Sequence, residues 1–193
     1  MIERYTRPEM GHLWSIQNEW QTILNVEIAA CEAMAELGEI PAAAVQNIKA
    51  NAKFDVARIN EIEKTTDHDI IAFLTNLEEN VGEDSKYIHK GLTSSDVKDT
   101  AYCVMMRDAA AIILDDLRAF REVLRRRAEE FRHTPCIGRT HGIHAEPMTF
   151  GLKLLLWSAE IERDIERLMR AKEIVSVGKL SGAVGTYSNI DPR

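Results

Sequence analysis

Apolar residues recur along most of the chain with the spacing of an α-helix. From Trp20 onward, intervals of three or four residues place on one face Leu24, Ile28, Cys31 and Ala35. Such a stripe is typical of a helix that buries one side. Since glycine commonly follows the last residue of a helix, we expect this one to end near Gly38.

Shorter helices are predicted after it, each with a suitable residue at its start. Pro41 fits the first turn of a helix through about Ala52, because proline lacks the N–H that a first turn leaves unpaired. Asp55 is suited to cap the helix VARINEIEK, since a carboxylate accepts from free backbone N–H groups. A fourth helix is predicted from about Asp69 to Asn80.

Two much longer helices dominate the second half of the chain. The first is predicted from Asp96 to about Arg132, a stretch that contains neither glycine nor proline. The second is predicted from about Thr149 to Val177. Both exceed the usual length of about 10–14 residues, which favours a bundle or a coiled-coil-like core. The chain is therefore predicted to be all-α.

Polar segments separate these helices, and they hold the candidate chemistry. They are 65–69, 85–95, 136–149 and the final GKLSGAVGTYSNIDPR. Four of the six histidines lie in the first three, namely His68, His89, His141 and His144. A single loop histidine is more often a surface or hydrogen-bonding group. Together, four histidines in loops held by helices indicate proton transfer near neutral pH.

The segment GRTHGIHAEP is the densest of these. Its arginine can bind a carboxylate or phosphate, and His141 and His144 can exchange protons. With His133 or Glu146 these two histidines could form a metal site, but the spacing lacks the helical HExxH arrangement, so no metal is predicted. The structural alternative is a polar turn that ends at Pro147.

A second candidate lies at the predicted start of the longest helix. Thr93, Ser94 and Ser95 precede Asp96, a pattern that fits an ordinary helix cap. The same hydroxyls and free N–H groups would also suit an anion. In contrast, the glycines of GKLSGAVG do not fit a dinucleotide fingerprint, which requires a preceding strand and a following helix, so a loop is predicted there.

Charge and composition argue against several classes of protein. The 193 residues carry 31 acidic against 24 basic side chains, a net charge of -7, which argues against a general nucleic-acid binder. No apolar run approaches the roughly 18 residues of a membrane span, and the start has no apolar signal segment. Three separated cysteines without a CxxC pair predict reduced thiols in a cytoplasmic protein.

Five segments carry a resemblance that covers nearly the whole chain. They are MIERYTRPEM, FDVARINEIEKTTDHDIIAFL, YIHKGLTSSDVKDTA, GRTHGIHAEPMTFGLKLLLW and GKLSGAVGTYSNIDP. In this order they resemble the adenylosuccinate lyases of the fumarase/aspartase superfamily. The resemblance implies three largely helical domains, four chains joined by a central bundle, and active sites where three subunits meet. Residues 1–95 would form the amino-terminal helical domain and residues 96–193 the first part of the bundle.

The resemblance also implies a reaction, a β-elimination that releases fumarate. The implied substrates are adenylosuccinate, which gives AMP, and the succinylated aminoimidazole carboxamide nucleotide. His141 would be the general acid, and His68 would pair with it or orient the substrate. Arg4 and Tyr5 would contact the nucleotide, Thr93 and Ser94 the succinyl carboxylate, and His89 the phosphate. The remaining implied substrate contacts are Asp67, His68, Asp69 and Thr140, with no metal or organic cofactor.

Two departures from the family pattern qualify these expectations. Asp67 places an acid where many members have a basic or neutral residue. The flexible loop with the serine that acts as base is not in this sequence, so the chain is expected to be the amino-terminal portion of a lyase and inactive alone. The alternatives are another superfamily member, such as an argininosuccinate lyase or a muconate cycloisomerase, and a non-catalytic helical assembly module.

Overall fold

The computed structural model describes residues 2–192 and is mostly helical, as the apolar spacing predicts. The α-helices are α1 (Pro8–Leu13), α2 (Ile16–Glu36), α3 (Ala42–Asn51), α4 (Val56–Thr66), α5 (Asp69–Val81), α6 (Ser94–Glu130) and α7 (Phe150–Val175). Two short 3-10 helices cover Glu3–Tyr5 and Gly82–Tyr87, and two strands, β1 (Pro135–Thr140) and β2 (Ile143–Thr149), precede α7. Within residues 2–192, no helix is long and apolar enough to cross a membrane.

The helix starts show which side chains satisfy the free N–H groups of each first turn. Asp55 accepts a hydrogen bond from Arg58 N at 2.9 Å, so its predicted role as the cap of α4 is confirmed. Ser15 caps α2 in the same way, which explains why that helix begins at Ile16 rather than at Trp20. The six predicted helices are all present, whereas α1 and the 3-10 helices were not predicted.

The described residues fall into two compact units. The first unit contains the residues up to Met105 and those from Val177 onward, and the second contains Met106–Ser176. Helix α6 contributes to both units, since its first turns belong to the first and the remainder to the second.

The core of the first unit is built by the inner faces of α2 to α5 and the start of α6. Trp20 of α2 stacks on Phe73 of α5, with ring centroids 4.8 Å apart. Around this pair pack fully buried aliphatic side chains, which include Ile48, Ile59, Ile70, Leu77 and Val97. Two carboxylates, Glu27 and Asp96, are equally buried, which is costly unless both are hydrogen-bonded.

The second unit is built from α6, α7 and the two strands between them. Leu124 and Ala128 of α6 pack with Leu154 of α7. The helices also approach closely at Gly151, where an added Cβ would lie 2.4 Å from the Ala128 carbonyl oxygen. Glycine is required there because any side chain would separate the two backbones.

The third polar segment differs from its prediction as an irregular loop. Strands β1 and β2 form an antiparallel hairpin, in which Pro135 pairs with Thr149 and Thr140 with Ile143. Its two-residue turn consists of His141 and Gly142, with φ angles of 52° and 74°. Two successive positive φ angles match a type I′ turn, whose twist suits a hairpin. The sequence did not signal it, because histidine replaces the usual asparagine or aspartate at the first turn position.

Candidate functional site

Three of the four polar segments meet at the start of α6, inside the first unit. From the first segment, Asp69 Oδ2 accepts a hydrogen bond from Lys98 Nζ at 2.5 Å. Lys98 lies one helical turn after Ser94, which belongs to the second segment. From the last segment, Lys179 Nζ donates to Ser95 Oγ at 3.0 Å. The structure therefore brings together His68–Asp69, Thr93–Ser94 and the loop that follows α7.

Asp96 organises this meeting point. Its side chain is fully buried and accepts four hydrogen bonds of 2.6–3.1 Å, from Thr93 N, Ser181 N, Gly182 N and Lys179 Nζ. Burial opposes ionisation of this carboxyl, but the Lys179 ammonium and the backbone donors outweigh it and lower its pKa below the usual value. The bond from Thr93 N resembles the second half of a capping box, in which the third helical residue reaches back to the cap.

A second charged pair connects α5 to α6. Burial again opposes the charge on Asp69, but hydrogen bonds from Lys98 and from Ile70 N lower its pKa overall. The same contact with Asp69 raises the pKa of Lys98. One turn further along α6, the Tyr102 hydroxyl donates a hydrogen bond to Glu19. This hydrogen bond is the main cause of the raised pKa of Tyr102. The contact between Asp69 and Lys98 thus keeps both side chains charged beside His68.

His68 is fixed by its position as the cap of α5. Its Nδ1 accepts a hydrogen bond from Ile71 N at 3.3 Å, so in the neutral ring the proton resides on Nε2. The ring is exposed, and its neighbour Asp67 is exposed and ends α4 in a left-handed conformation with φ of 48°. The backbone therefore turns sharply before His68 and presents its Nε2–H group to solvent-accessible space.

His89 is held quite differently. Its backbone N–H donates to Glu27 Oε2 at 3.0 Å, and its ring Nδ1 lies 2.5 Å from Glu27 Oε1. The Glu27 side chain is fully buried in the core, and that of His89 is only 15% exposed. Two points of attachment leave the ring little freedom.

The remaining predicted site residues belong to other elements of the chain. Arg4 and Tyr5 belong to the first 3-10 helix, where the guanidinium carbon lies 4.8 Å from the Tyr5 ring centroid and both side chains are exposed. Thr140 and His141 belong to the second unit, where Thr140 ends β1 and His141 begins the exposed hairpin turn. Among residues 2–192, no group of three histidine, cysteine or acidic side chains is placed to hold a metal ion.

Comparison with known proteins places this chain among enzymes. A family described as Lyase matches residues 3–193. The chain belongs to this lyase family. The chain is 53% identical to the adenylosuccinate lyase of Bacillus subtilis over 192 residues and 55% identical to that of Synechocystis over 193 residues. All of the chain is covered in both cases, but only 44% and 45% of the relatives, so the chain spans a little under half their length.

Two solved structures share the fold of this chain. A fumarate lyase from Mesorhizobium matches with a TM-score of 0.91 and 32% identity, over 98% of this chain and 45% of that protein. A β-carboxy-cis,cis-muconate cycloisomerase from Acinetobacter calcoaceticus matches with a TM-score of 0.88 and 29% identity, over 95% of this chain and 44% of that protein. Together with the family match, these likenesses confirm the predicted fumarase/aspartase-like helical fold.

The structure adds three residues to the site that were not predicted from the sequence, namely Glu27, Lys98 and Lys179. Lys98 had a usable signal, because it lies four positions after Ser94 and must share its helix face. Lys179 and Glu27 had none. Lys179 lies in a glycine-rich loop, and only packing brings it to Asp96. Glu27 lies inside an apolar helix, and only packing brings it to His89.

Proposed function

We propose that this lyase-family chain belongs to an adenylosuccinate lyase, which releases fumarate from adenylosuccinate to give AMP and acts likewise on the succinylated aminoimidazole carboxamide nucleotide. The observation that carries the proposal is the 53–55% identity to adenylosuccinate lyases along the whole chain. Geometry supports it, because an anionic substrate needs hydroxyls and positive charge near one another. The start of α6 has the hydroxyls of Thr93 and Ser94 and, one turn further, Lys98, whose partner Asp69 follows His68.

The carboxylates of the succinyl group bind at Thr93 and Ser94 in this proposal. Thr93 precedes and Ser94 begins a 37-residue helix, whose dipole favours negative charge at this end. Lys98, one turn further, adds positive charge that Asp69 partly balances. His68 and Asp69 border the same place and orient the substrate, and Asp67 contributes at the edge.

The nucleotide part lies against other residues of the chain. Arg4 and Tyr5 contact it, and the exposed guanidinium and ring suit a phosphate or a base. His89 contacts the phosphate. No metal or organic cofactor takes part in the proposed reaction.

Proton transfer to the leaving nitrogen is assigned to His141, with Thr140 as a neighbouring contact. An acid there lowers the barrier to C–N cleavage, because the departing nitrogen would otherwise carry both electrons of the bond without a proton. The base that removes the Cβ proton is a serine outside residues 1–193. His68 supports the acid, or orients the substrate when the site assembles.

The remaining parts of the proposal concern the whole protein. It is a cytoplasmic homotetramer whose active sites combine residues from different subunits. The division into an amino-terminal domain of residues 1–95 and a bundle that begins at residue 96 stays a prediction.

The deciding experiment is a fumarate-release assay on the full-length gene product with adenylosuccinate. Argininosuccinate serves as a parallel substrate in the same assay. Because a muconate cycloisomerase shares the fold but releases no fumarate, β-carboxy-cis,cis-muconate is tested separately through the loss of its ultraviolet absorbance. Selective turnover of adenylosuccinate is expected. If only one of the other substrates is turned over, the chain would instead be assigned to the enzymes that act on that substrate. A stable oligomer that neither turns over nor binds AMP and fumarate would favour an assembly module.

A further inference from the structure

The contact between α2 and the segment before α6 joins one buried carboxylate to two groups of the same residue. Glu27 lies on α2, and 62 positions later both the backbone N–H and the ring Nδ1 of His89 meet its two carboxylate oxygens. His89 has a φ of 64°, in the left-handed region that side chains other than glycine rarely adopt. The two-point contact with Glu27 holds this unfavourable backbone in place.

The chemistry of the pair fixes one proton on the ring. An ionised carboxylate only accepts hydrogen bonds, and a neutral imidazole has one donor and one acceptor nitrogen. Since Nδ1 lies 2.5 Å from Glu27 Oε1, Nδ1 carries a proton. Nε2 is then the nitrogen that remains for a ligand. This is the opposite arrangement to His68, whose Nδ1 accepts.

The surroundings of Glu27 strengthen this arrangement. Cys31, one turn further along α2, places its Sγ 3.5 Å from the Tyr87 carbonyl oxygen. Burial, followed by the nearby Glu27 charge, raises the pKa of Cys31 to about 12, so its thiol stays neutral. Helix α2 thus holds the chain at Tyr87 and again at His89, where both the backbone N–H and the ring Nδ1 contact Glu27. The next charged residue, Lys90, is paired with Glu39.

We propose that Glu27 is a positioning residue for anion binding: it fixes the proton of His89 on Nδ1 and presents Nε2 to the phosphate of the nucleotide. This inference rests on the proposed function, in which His89 contacts that phosphate. With phosphate bound, the ring carries a second proton on Nε2 and donates it as a hydrogen bond, and the buried Glu27 carboxylate balances the charge of the ring. Glu27 itself does not touch the substrate.

The test compares a ligand that carries the phosphate with one that lacks it. AMP and adenosine are titrated calorimetrically into the full-length gene product and its Glu27→Gln variant, which keeps the shape of the side chain but removes its charge. AMP binding is expected to weaken about 10- to 100-fold, the usual effect of losing a hydrogen bond to a charged group. Adenosine binding is expected to stay unchanged.

Two further variants separate positioning from general effects. Glu32→Gln removes a carboxylate from the same helix, where it pairs with Lys49 at the surface, and is expected to change neither affinity. In a His89→Gln background, Glu27→Gln is expected to weaken AMP binding no further, because Glu27 acts only through that ring. If Glu27→Gln does not fold, Glu27→Asp takes its place, since it keeps the charge but cannot reach both donors.

The outcomes distinguish this inference from the proposed function. An equal loss of AMP and adenosine binding, or unchanged AMP binding, overturns the positioning role. If the unaltered protein binds neither ligand, the proposed function fails. Crystal structures of the protein and of the Glu27→Gln variant then test the positioning role of Glu27 separately. A His89 ring that keeps its place and its Nδ1 contact in the variant would overturn the positioning role, and a rotated ring would support it.

Discussion

Lys179 Nζ lies 2.6 Å from Asp96 Oδ1, which joins a glycine-rich loop to a helix residue 83 positions earlier in the chain. Asp96 is fully buried, whereas the Lys179 side chain is 40% exposed. The buried carboxylate therefore needs the lysine to balance its charge, while water can still solvate the ammonium group of Lys179. Because Asp96 also accepts from Thr93 N, the same side chain shapes both the loop and the helix start. The geometry around Thr93 and Ser94 is therefore coupled to a distant segment.

Replacing Asp96 with asparagine is expected to destabilise the fold by about 2–5 kcal/mol. The amide has one acceptor oxygen instead of two, so buried N–H donors lose their partner and Lys179 loses its counter-charge. Urea unfolding measures the effect. Asp99→Asn is the matched control, since Asp99 is exposed on the same helix, and a similar loss there would contradict the role of Asp96.

Acidification is expected to remove part of the stability that Asp96 and Asp69 provide. Both have a lowered pKa in the folded state. Such a group stabilises the fold above its unfolded pKa of about 3.9 and loses that contribution as pH falls through its folded pKa. The difference in unfolding free energy between the unaltered protein and Asp96→Asn should therefore be constant near neutrality and shrink below about pH 4. A difference that grows on acidification would refute this linkage.

The double change Thr93→Val and Ser94→Ala is expected to weaken substrate binding more than it weakens folding. These side chains precede and begin α6, and the proposed function assigns them to the succinyl carboxylate. Loss of capping alone costs about 0.5–2 kcal/mol. The Michaelis constant for adenylosuccinate and the free energy of unfolding are measured together. A stability loss of that size with an unchanged Michaelis constant would leave these residues with a capping role only.

Replacing His141 with asparagine is expected to lower turnover about 10²- to 10⁴-fold without unfolding the hairpin. Asparagine is the suitable change because His141 has a φ of 52°, a conformation that asparagine adopts readily. Steady-state kinetics on the full-length gene product gives the result, with circular dichroism to check folding. His133→Asn, an exposed histidine just before the hairpin, is the control. Equal turnover in both variants would remove His141 from the mechanism.

Residues 1–193 expressed as a separate chain are expected to release no fumarate from adenylosuccinate. The proposed base is not among them, and an acid at His141 cannot replace it. Leu152, Leu155, Leu156 and Trp157 are exposed along α7, so self-association is also expected. Fumarate absorbance and light scattering measure the two effects. Clear turnover, after host enzyme is excluded, would place the base within these residues and overturn the assigned roles.

The sequence predicted most helices because their signals are local. The apolar spacing of α2 and the Asp55 cap of α4 act within a few residues, and the structure agrees with both. The hairpin was missed because its turn uses His141 and Gly142 instead of the common asparagine–glycine pair. The start of α2 shifted to Ile16 because the Ser15 cap lies before the apolar stripe.

By itself, the sequence determined the helical content, the polar segments and, through motifs spread along the chain, the family. Only the tertiary structure decided how those segments combine within the first unit. The Glu27–His89 and Asp96–Lys179 contacts join residues 62 and 83 positions apart. Neither contact can be predicted from the residues next to it in the sequence. A buried carboxylate needs hydrogen-bond donors, but packing of the whole chain determines which donors lie beside it. Periodicity is set by neighbouring residues along a helix, whereas the choice of charged partner follows from burial in the folded core.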